Sequence, residues 1–296
     1  MIARRVTSAV AFFGALALAG CSEAPTEVDP TADPLVFEIT SANGHVEGWL
    51  LGTIHALPDD AKWRTPAITD AIEKADYLLV EVGNLDDRDA IAETFTMLAT
   101  SPGQTGLSSR VSPQFRDRLT AVMKEADRTP SDFDATETWA AALILARVGA
   151  TGDPANGVDR VLIEEFGNRE VREFEGALGQ LRIFDALAEE DQRDLLEGVI
   201  VEIEAAREQP DRLRSAWLTG DVRELEKFTR SGIMADPEVR DALLVRRNER
   251  WTNDLTEALG EPEKPLVAVG AGHLVGPDSL PAMLETRGYT VTRLAR

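Results

Sequence analysis

One cysteine, Cys21, in a chain of 296 residues leaves no partner for an intramolecular disulfide and too few thiolates for a cysteine-rich zinc site. Histidine is almost as scarce, at three, so the place of each one carries weight. Bases are also in short supply, with 31 Lys and Arg against 52 Asp and Glu, a formal charge of -21. A surface of that sign repels phosphate backbones, so nucleic acid is excluded as a partner. Missing as well are His-Glu-x-x-His, Gly-x-Ser-x-Gly and Gly-x4-Gly-Lys, and with them the helical zinc-protease site, the serine-hydrolase elbow and the nucleotide loop. Gly270-Ala-Gly272-His-Leu-Val275 only mimics a dinucleotide loop, because Val275 stands where the third glycine belongs. No apolar run reaches the about 20 residues that a membrane-spanning helix needs. What remains is 43% hydrophobic, enough for the buried core of one or two domains.

The first residues read as an address. Met1-Ile-Ala-Arg4-Arg5 is a short basic region, Val10 to Ala19 is apolar, and the run ends in Leu18-Ala19-Gly20-Cys21. Residues 1–20 are therefore expected to be a signal peptide. Small residues before a lone cysteine resemble a bacterial lipobox, in which the cysteine is lipidated, palmitate among its acyl chains, and becomes the mature N-terminus. An ordinary signal peptide followed by a free thiol is the alternative. Resemblance to enterobacterial lipoprotein sorting implies, from Ser22 rather than Asp after the cysteine, the periplasmic face of the outer membrane. Cleavage would remove Arg4 and Arg5, leaving 29 bases against 52 acids, a charge of -23. Ser22 to Pro34 holds three prolines, four acids and no aromatic residue, so residues 21–34 are expected to form a disordered tether from the lipidated Cys21.

The rest, residues 35–296, is expected to form one domain. Leu35 to Thr40 and Val46 to Leu51 are β-rich runs flanking Asn43-Gly44, which predicts an antiparallel hairpin. Pro66 to Lys74 reads as a helix and Tyr77 to Val82 as a short buried strand. From about residue 85 to 260 helical periodicity dominates, in Ala90 to Ala99, Pro113 to Ala126, Thr136 to Val148, Gln192 to Arg207 and Pro237 to Leu259. One β-like island, Val171 to Glu175, interrupts it. Pro265 to Gly270 reads as a buried strand, Ser279 to Thr286 as a helix with Asp278 as N-cap and Gly288 as C′ residue, and Tyr289 to Leu294 as a closing strand. The fold class is thus α/β, a central mixed sheet assembled from N- and C-terminal strands with a large helical insertion.

Within that frame one local pattern occurs twice. Trp49-Leu-Leu-Gly52-Thr-Ile-His55 and Val267-Ala-Val-Gly270-Ala-Gly272-His273 each run an apolar strand into Gly-x-x-His. Both histidines fall just past the carboxyl end of a strand, the edge where open α/β sheets bind ligands. Glu81 ends the run from Tyr77 in the same way, and a buried carboxylate needs a cation or hydrogen bonds. Two imidazoles and a carboxylate suit a divalent metal with an open coordination position, whose bound water is a hydrolytic nucleophile. Structural, hydrogen-bonded histidines are the alternative. His45, in the hairpin turn, is expected to be exposed and without a role.

These stretches, Leu50 to His55 and Val267 to Pro281 above all, resemble the TraB/GumN family, whose animal members include the Tiki proteases. Further matches are Ala75 to Glu81, Gly157-Val-Asp159, Val171 to Glu175 and Arg246 to Trp251. The resemblance implies an α/β fold related to erythromycin esterase and ChaN-type proteins. It also implies manganese- or cobalt-dependent peptide cleavage, with His55, Glu81 and His273 as the metal ligands, a donor set that also suits zinc, and Gly52, Gly270 and Gly272 as motif glycines. Glu175, Arg247 and Asn248 match family positions. Arg247 would orient a substrate carboxylate or stabilise an oxyanion, or else form a structural ion pair. Glu175 would act as a second carboxylate or as the partner of such an arginine. Asp159 reads as a helix N-terminal residue. The expected function is a lipid-anchored, cell-envelope metallohydrolase acting on a peptide or protein substrate. The alternative is a non-catalytic envelope protein that binds metal, haem or a signal peptide in the same pocket.

Overall fold

The computed structural model describes residues 31–295. The expected signal peptide and Cys21 lie outside the described residues, as does the tether up to residue 30. Its last residues do not behave as a tether. Ala32 is buried, the Asp33 N–H donates to the Leu218 carbonyl at 2.8 Å, and the Asp33 carboxylate pairs with Arg293 at 2.8 Å. Those contacts start the folded body a few residues earlier than Leu35.

Among the described residues six strands form one mixed sheet: β1 (Val36–Thr40), β2 (Val46–Thr53), β3 (Tyr77–Val80), β4 (Glu170–Glu173), β5 (Pro265–Gly270) and β6 (Thr290–Arg293). Their spatial order is β4-β3-β5-β2-β1-β6. β4, β3, β5 and β2 run parallel, and β1 and β6 close the other side antiparallel. The expected hairpin is the β1–β2 pair, and its turn holds Gly44 at φ +78°, a value glycine adopts without strain. Near-continuous apolar runs suit the centre of a parallel sheet covered on both faces, and β5 is buried along almost its whole length between β3 and β2. The β-like island is β4, a polar strand at the sheet edge that ends at Glu173, short of the expected Glu175.

The helices, in chain order, are α1 (Pro66–Lys74), α2 (Arg88–Ala99), α3 (Arg116–Glu125), α4 (Thr138–Ala146), α5 (Val158–Glu165), α6 (Gly176–Asp185), α7 (Glu189–Glu208), α8 (Arg212–Leu218), α9 (Val222–Phe228), α10 (Pro237–Arg240), α11 (Arg246–Ala258) and α12 (Leu280–Thr286). Thr65 caps α1 and Pro66 follows at its first position, where a missing N–H costs nothing. α12 is capped by Ser279, not by the expected Asp278, because Asp278 turns to Arg240 at 2.7 Å. Asp241–Val245, between α10 and α11, is a π-helical turn, so the predicted single helix from Pro237 is one rod with a widened segment. Two cores result. One surrounds the sheet, and the other lies inside the helical insertion, where Trp139, Ala141 and Leu145 of α4 pack with Leu195, Val199 and Ile200 of α7. Among the described residues no helix is long and apolar enough to cross a membrane.

Candidate active site

Because β3, β5 and β2 are parallel neighbours, their carboxyl ends open on one edge. Thr53 ends β2 in register with Gly270 of β5, and Val80 ends β3 opposite Ala268. The residues that follow, His55, His273 and Glu81, are thereby delivered to the same side of the sheet.

His55 leaves the sheet on an open loop, and its side chain is 77% exposed. Its Nδ1 lies 2.9 Å from Asp159 Oδ2, and the other oxygen of Asp159 accepts from Thr53 Oγ1 at 2.7 Å. Asp159 sits in the first turn of α5, as expected of a helix N-terminal residue, and it also anchors His55. That contact depends on Gly157, since a Cβ there would fall 2.4 Å from the His55 carbonyl oxygen. The Asp159 carboxylate raises the His55 pKa from 6.5 to about 9. Nδ1 carries the proton shared with Asp159, and Nε2 is left for exchange with solvent or a ligand.

His273 has the opposite surroundings. It lies in the short 3-10 turn Ala271–Leu274, its side chain 8% exposed, with the Trp251 ring 4.6 Å away. Its Nδ1 is 2.6 Å from Asn248 Oδ1. The amide orientation follows from Asn248 Nδ2 donating to the Asp278 carbonyl at 2.6 Å, so Nδ1 of His273 bears the hydrogen and Nε2 presents a lone pair. Burial pushes its pKa down to about 3, which keeps the ring neutral.

That lone pair faces Arg247, whose Nη1 is 3.3 Å away. Arg247 follows the π turn and is buried, its guanidinium 4.5 Å from the centre of the Trp251 ring. All of its N–H groups are engaged. Nη1 donates also to the Leu243 carbonyl at 3.1 Å, Nη2 to Glu81 Oε2 at 2.5 Å and Nε to Glu175 Oε2 at 3.1 Å, while Nη2 forms an ion pair with Glu175 Oε2 at 3.0 Å. Glu175, which precedes α6, is held from outside by Arg250 at 3.0 Å. Glu81 Oε1 accepts the Gly270 N–H at 2.8 Å, and Oε2 accepts Gln180 Nε2 at 3.1 Å. Burial works against the Glu81 anion. His273, Arg247 and His55, with the Gly270 N–H, override it and hold its pKa at about 2. Since His273 is itself neutral, Arg247 is the lasting cation of the cluster.

The motif glycines differ in their reasons. A Cβ on Gly52 would lie 3.1 Å from the Ala271 Cβ, so Gly52 lets β2 pass close to the turn that carries His273. Gly270 leaves ordinary room, 3.4 Å from Glu81 Oε1, and Gly272 meets only Thr229. His45 is exposed in the hairpin turn.

The residues expected as metal ligands do not form a three-donor set. Among the described residues no group of three or more His, Cys, Asp and Glu side chains is arranged to hold a metal ion. Glu81 and His273 approach within 3.9 Å with Arg247 bound to both, while His55 turns to Asp159. As arranged, Glu81 and His273 do not fit a divalent ion between them, because the guanidinium binds Glu81 Oε2 and faces the His273 Nε2 lone pair. Asp159, Thr53, Gly157 and Gln180 complete the site and were not singled out as its members by sequence. A histidine at the carboxyl edge of a sheet needs a carboxylate partner, but nothing local pairs His55 with a residue 104 positions away.

An exposed, carboxylate-bound histidine thus stands at the sheet edge beside a buried Glu-Arg-His cluster, on an α/β fold. The sequence profile of the TraB/PrgY/gumN family matches residues 35–293, and the chain belongs to that family. Two relatives, both named "Uncharacterized protein YbaP", are 26% identical. The one from Shigella flexneri aligns over 252 residues, 82% of this chain and 89% of its own. That from Escherichia coli (strain K12) aligns over 246 residues, 80% and 87%. No solved structure matches the chain.

Proposed function

We propose that the chain is a hydrolase of peptide or related acyl bonds in the cell envelope, with His55 as its proton-transfer residue. The observation that carries this reading is the His55 ring, open to solvent at the carboxyl edge of the sheet while its Nδ1 is pinned by the buried Asp159. Such a pairing fixes the tautomer and leaves Nε2 to take a proton from water as it attacks a carbonyl, then to return it to the leaving group. Glu81, Arg247 and His273 form a buried charged cluster at the same sheet edge, and the charges of Glu81 and Arg247 are felt at His55. The lipobox-like Leu18-Ala19-Gly20-Cys21 supports anchoring through a lipid on Cys21.

The test is a panel of peptides and acyl esters incubated with the wild type, His55→Ala and Asp159→Asn, with products read by mass spectrometry. Cleavage by the wild type that falls in both folded variants supports the reading. Cleavage that survives His55→Ala overturns the assignment, and tight binding with no product moves the protein to the class of envelope binding proteins. Incorporation of labelled palmitate, lost in Cys21→Ala, tests the anchor.

A further inference from the structure

The resemblance in sequence implies a resident divalent metal, and the geometry disagrees. We propose that the Arg247 guanidinium occupies the seat that a cation would need between Glu81 and His273, so that the folded chain keeps this cluster free of divalent metal. Removing the guanidinium opens the seat.

Three observations carry this. First, the two groups a metal would bridge are the two that Arg247 bridges, with Nη1 3.3 Å from His273 Nε2 and Nη2 2.5 Å from Glu81 Oε2. A zinc ion would need the His273 Nε2 lone pair at about 2.0–2.1 Å, and that lone pair cannot serve the metal and the guanidinium at once. Second, the guanidinium has no slack. Glu175 grips it from Nε and Nη2, the Leu243 carbonyl takes Nη1, and the Trp251 ring covers its face. An arginine is always charged, so a divalent ion beside it would add like charge to a buried place where Glu81 and Glu175 already have their cation. Third, burial separates the expected ligands, since the His55 side chain stands 77% exposed with its Nδ1 on Asp159 while those of Glu81 and His273 are buried with the guanidinium. The same donors become useful once Arg247 is gone. Glu81 and Glu175 are then two buried carboxylates without their shared cation, next to a His273 whose Nε2 lone pair is already oriented by Asn248.

The experiment uses the full chain without a His tag, stripped by chelator and dialysed against manganese, cobalt or zinc. Metal content and thermal unfolding are read for the wild type, Arg247→Ala and Arg247→Ala/Glu175→Gln. The double variant removes one cation and one anion and so guards against failure to fold. The wild type is expected to retain less than about a tenth of an equivalent and to keep its unfolding temperature. At least one variant is expected to take up about one equivalent and to melt higher with metal, both lost when His273→Ala is added. About one equivalent in the wild type, lost in Glu81→Gln or His273→Ala, would overturn the inference. So would variants that bind nothing or stay unfolded with every metal. Uptake, not turnover, is the readout, so a protein that cleaves no substrate yet behaves as described sinks the hydrolase reading and leaves this one standing.

Discussion

His55 and His273 stand at the same place in two copies of one sequence pattern, each three residues after a glycine at the end of an apolar strand, and they end in opposite states. His55 steps off β2 onto an open loop and meets the Asp159 carboxylate, so it gains a proton easily. His273 is folded into a tight turn under α11, with Trp251 against it and Arg247 at its lone pair, so it stays neutral with its one hydrogen on Nδ1. The motif therefore specifies where an imidazole emerges and leaves its chemistry to what packs over it. An exposed imidazole beside a carboxylate suits proton transfer, and a buried neutral one beside a guanidinium suits positioning.

The sharpest way to break the contrast is through Asp159. In a cleavage assay, Asp159→Asn and His55→Ala are expected to lower kcat by about 10²–10⁴-fold, whereas a purely structural His55 would leave kcat within error. The wild-type rate should rise with pH, because Nε2 must be free to accept a proton. Its inflection is expected above 6.5 toward about 9 in the wild type and back toward 6.5 in Asp159→Asn. Next in size is Arg247→Met, which leaves Glu81 and Glu175 buried without their cation. It should cost about 3–5 kcal/mol in denaturant unfolding, an effect absent if the cluster were solvated.

Stability should respond to the two histidines at opposite ends of the pH scale. The raised His55 pKa contributes stability that is complete below 6.5 and is lost as pH rises through about 9. The depressed pKa of His273 contributes stability present above 6.5 and lost as pH falls toward about 3, and that of Glu81 adds a loss between 4.5 and about 2. Unfolding curves of Asp159→Asn should lose the alkaline limb alone. Smaller again is the difference between the motif glycines. Gly52→Ala forces a 3.1 Å approach to Ala271 and is expected to cost about 1–3 kcal/mol, while Gly270→Ala, whose Cβ would meet Glu81 Oε1 at an ordinary contact distance of 3.4 Å, should cost less. The exposed His45 sets the floor, with His45→Ala within about 0.5 kcal/mol of wild type.

Much of this was readable in the residues. The alternation and apolar runs at both chain ends located the hairpin and the central strand β5, because each strand's pattern is local. Glu81 could be picked out as an acid closing an apolar run, and both Gly-x-x-His segments by their repeated context. The partners could not. Asp159 reaches His55 and Arg247 reaches Glu81 across more than a hundred residues, through a sheet order that no short-range pattern encodes. The π turn at Asp241–Val245 was equally hidden, since one widened turn leaves the apolar periodicity of a helix almost intact.

The pairing of β5 with β2 also sets an order in time. The central contact of the sheet joins Trp49 to Leu266, so more than two hundred residues must be in place before the middle of the sheet can close. Until β5 arrives, β2 and β3 have no shared neighbour, Glu81 has no Gly270 N–H to receive, and His273 is not yet part of the chain. In a nascent polypeptide, or one cut before β5, the Glu81–Arg247–His273 cluster is therefore not assembled, and it comes into being only when the chain is almost finished.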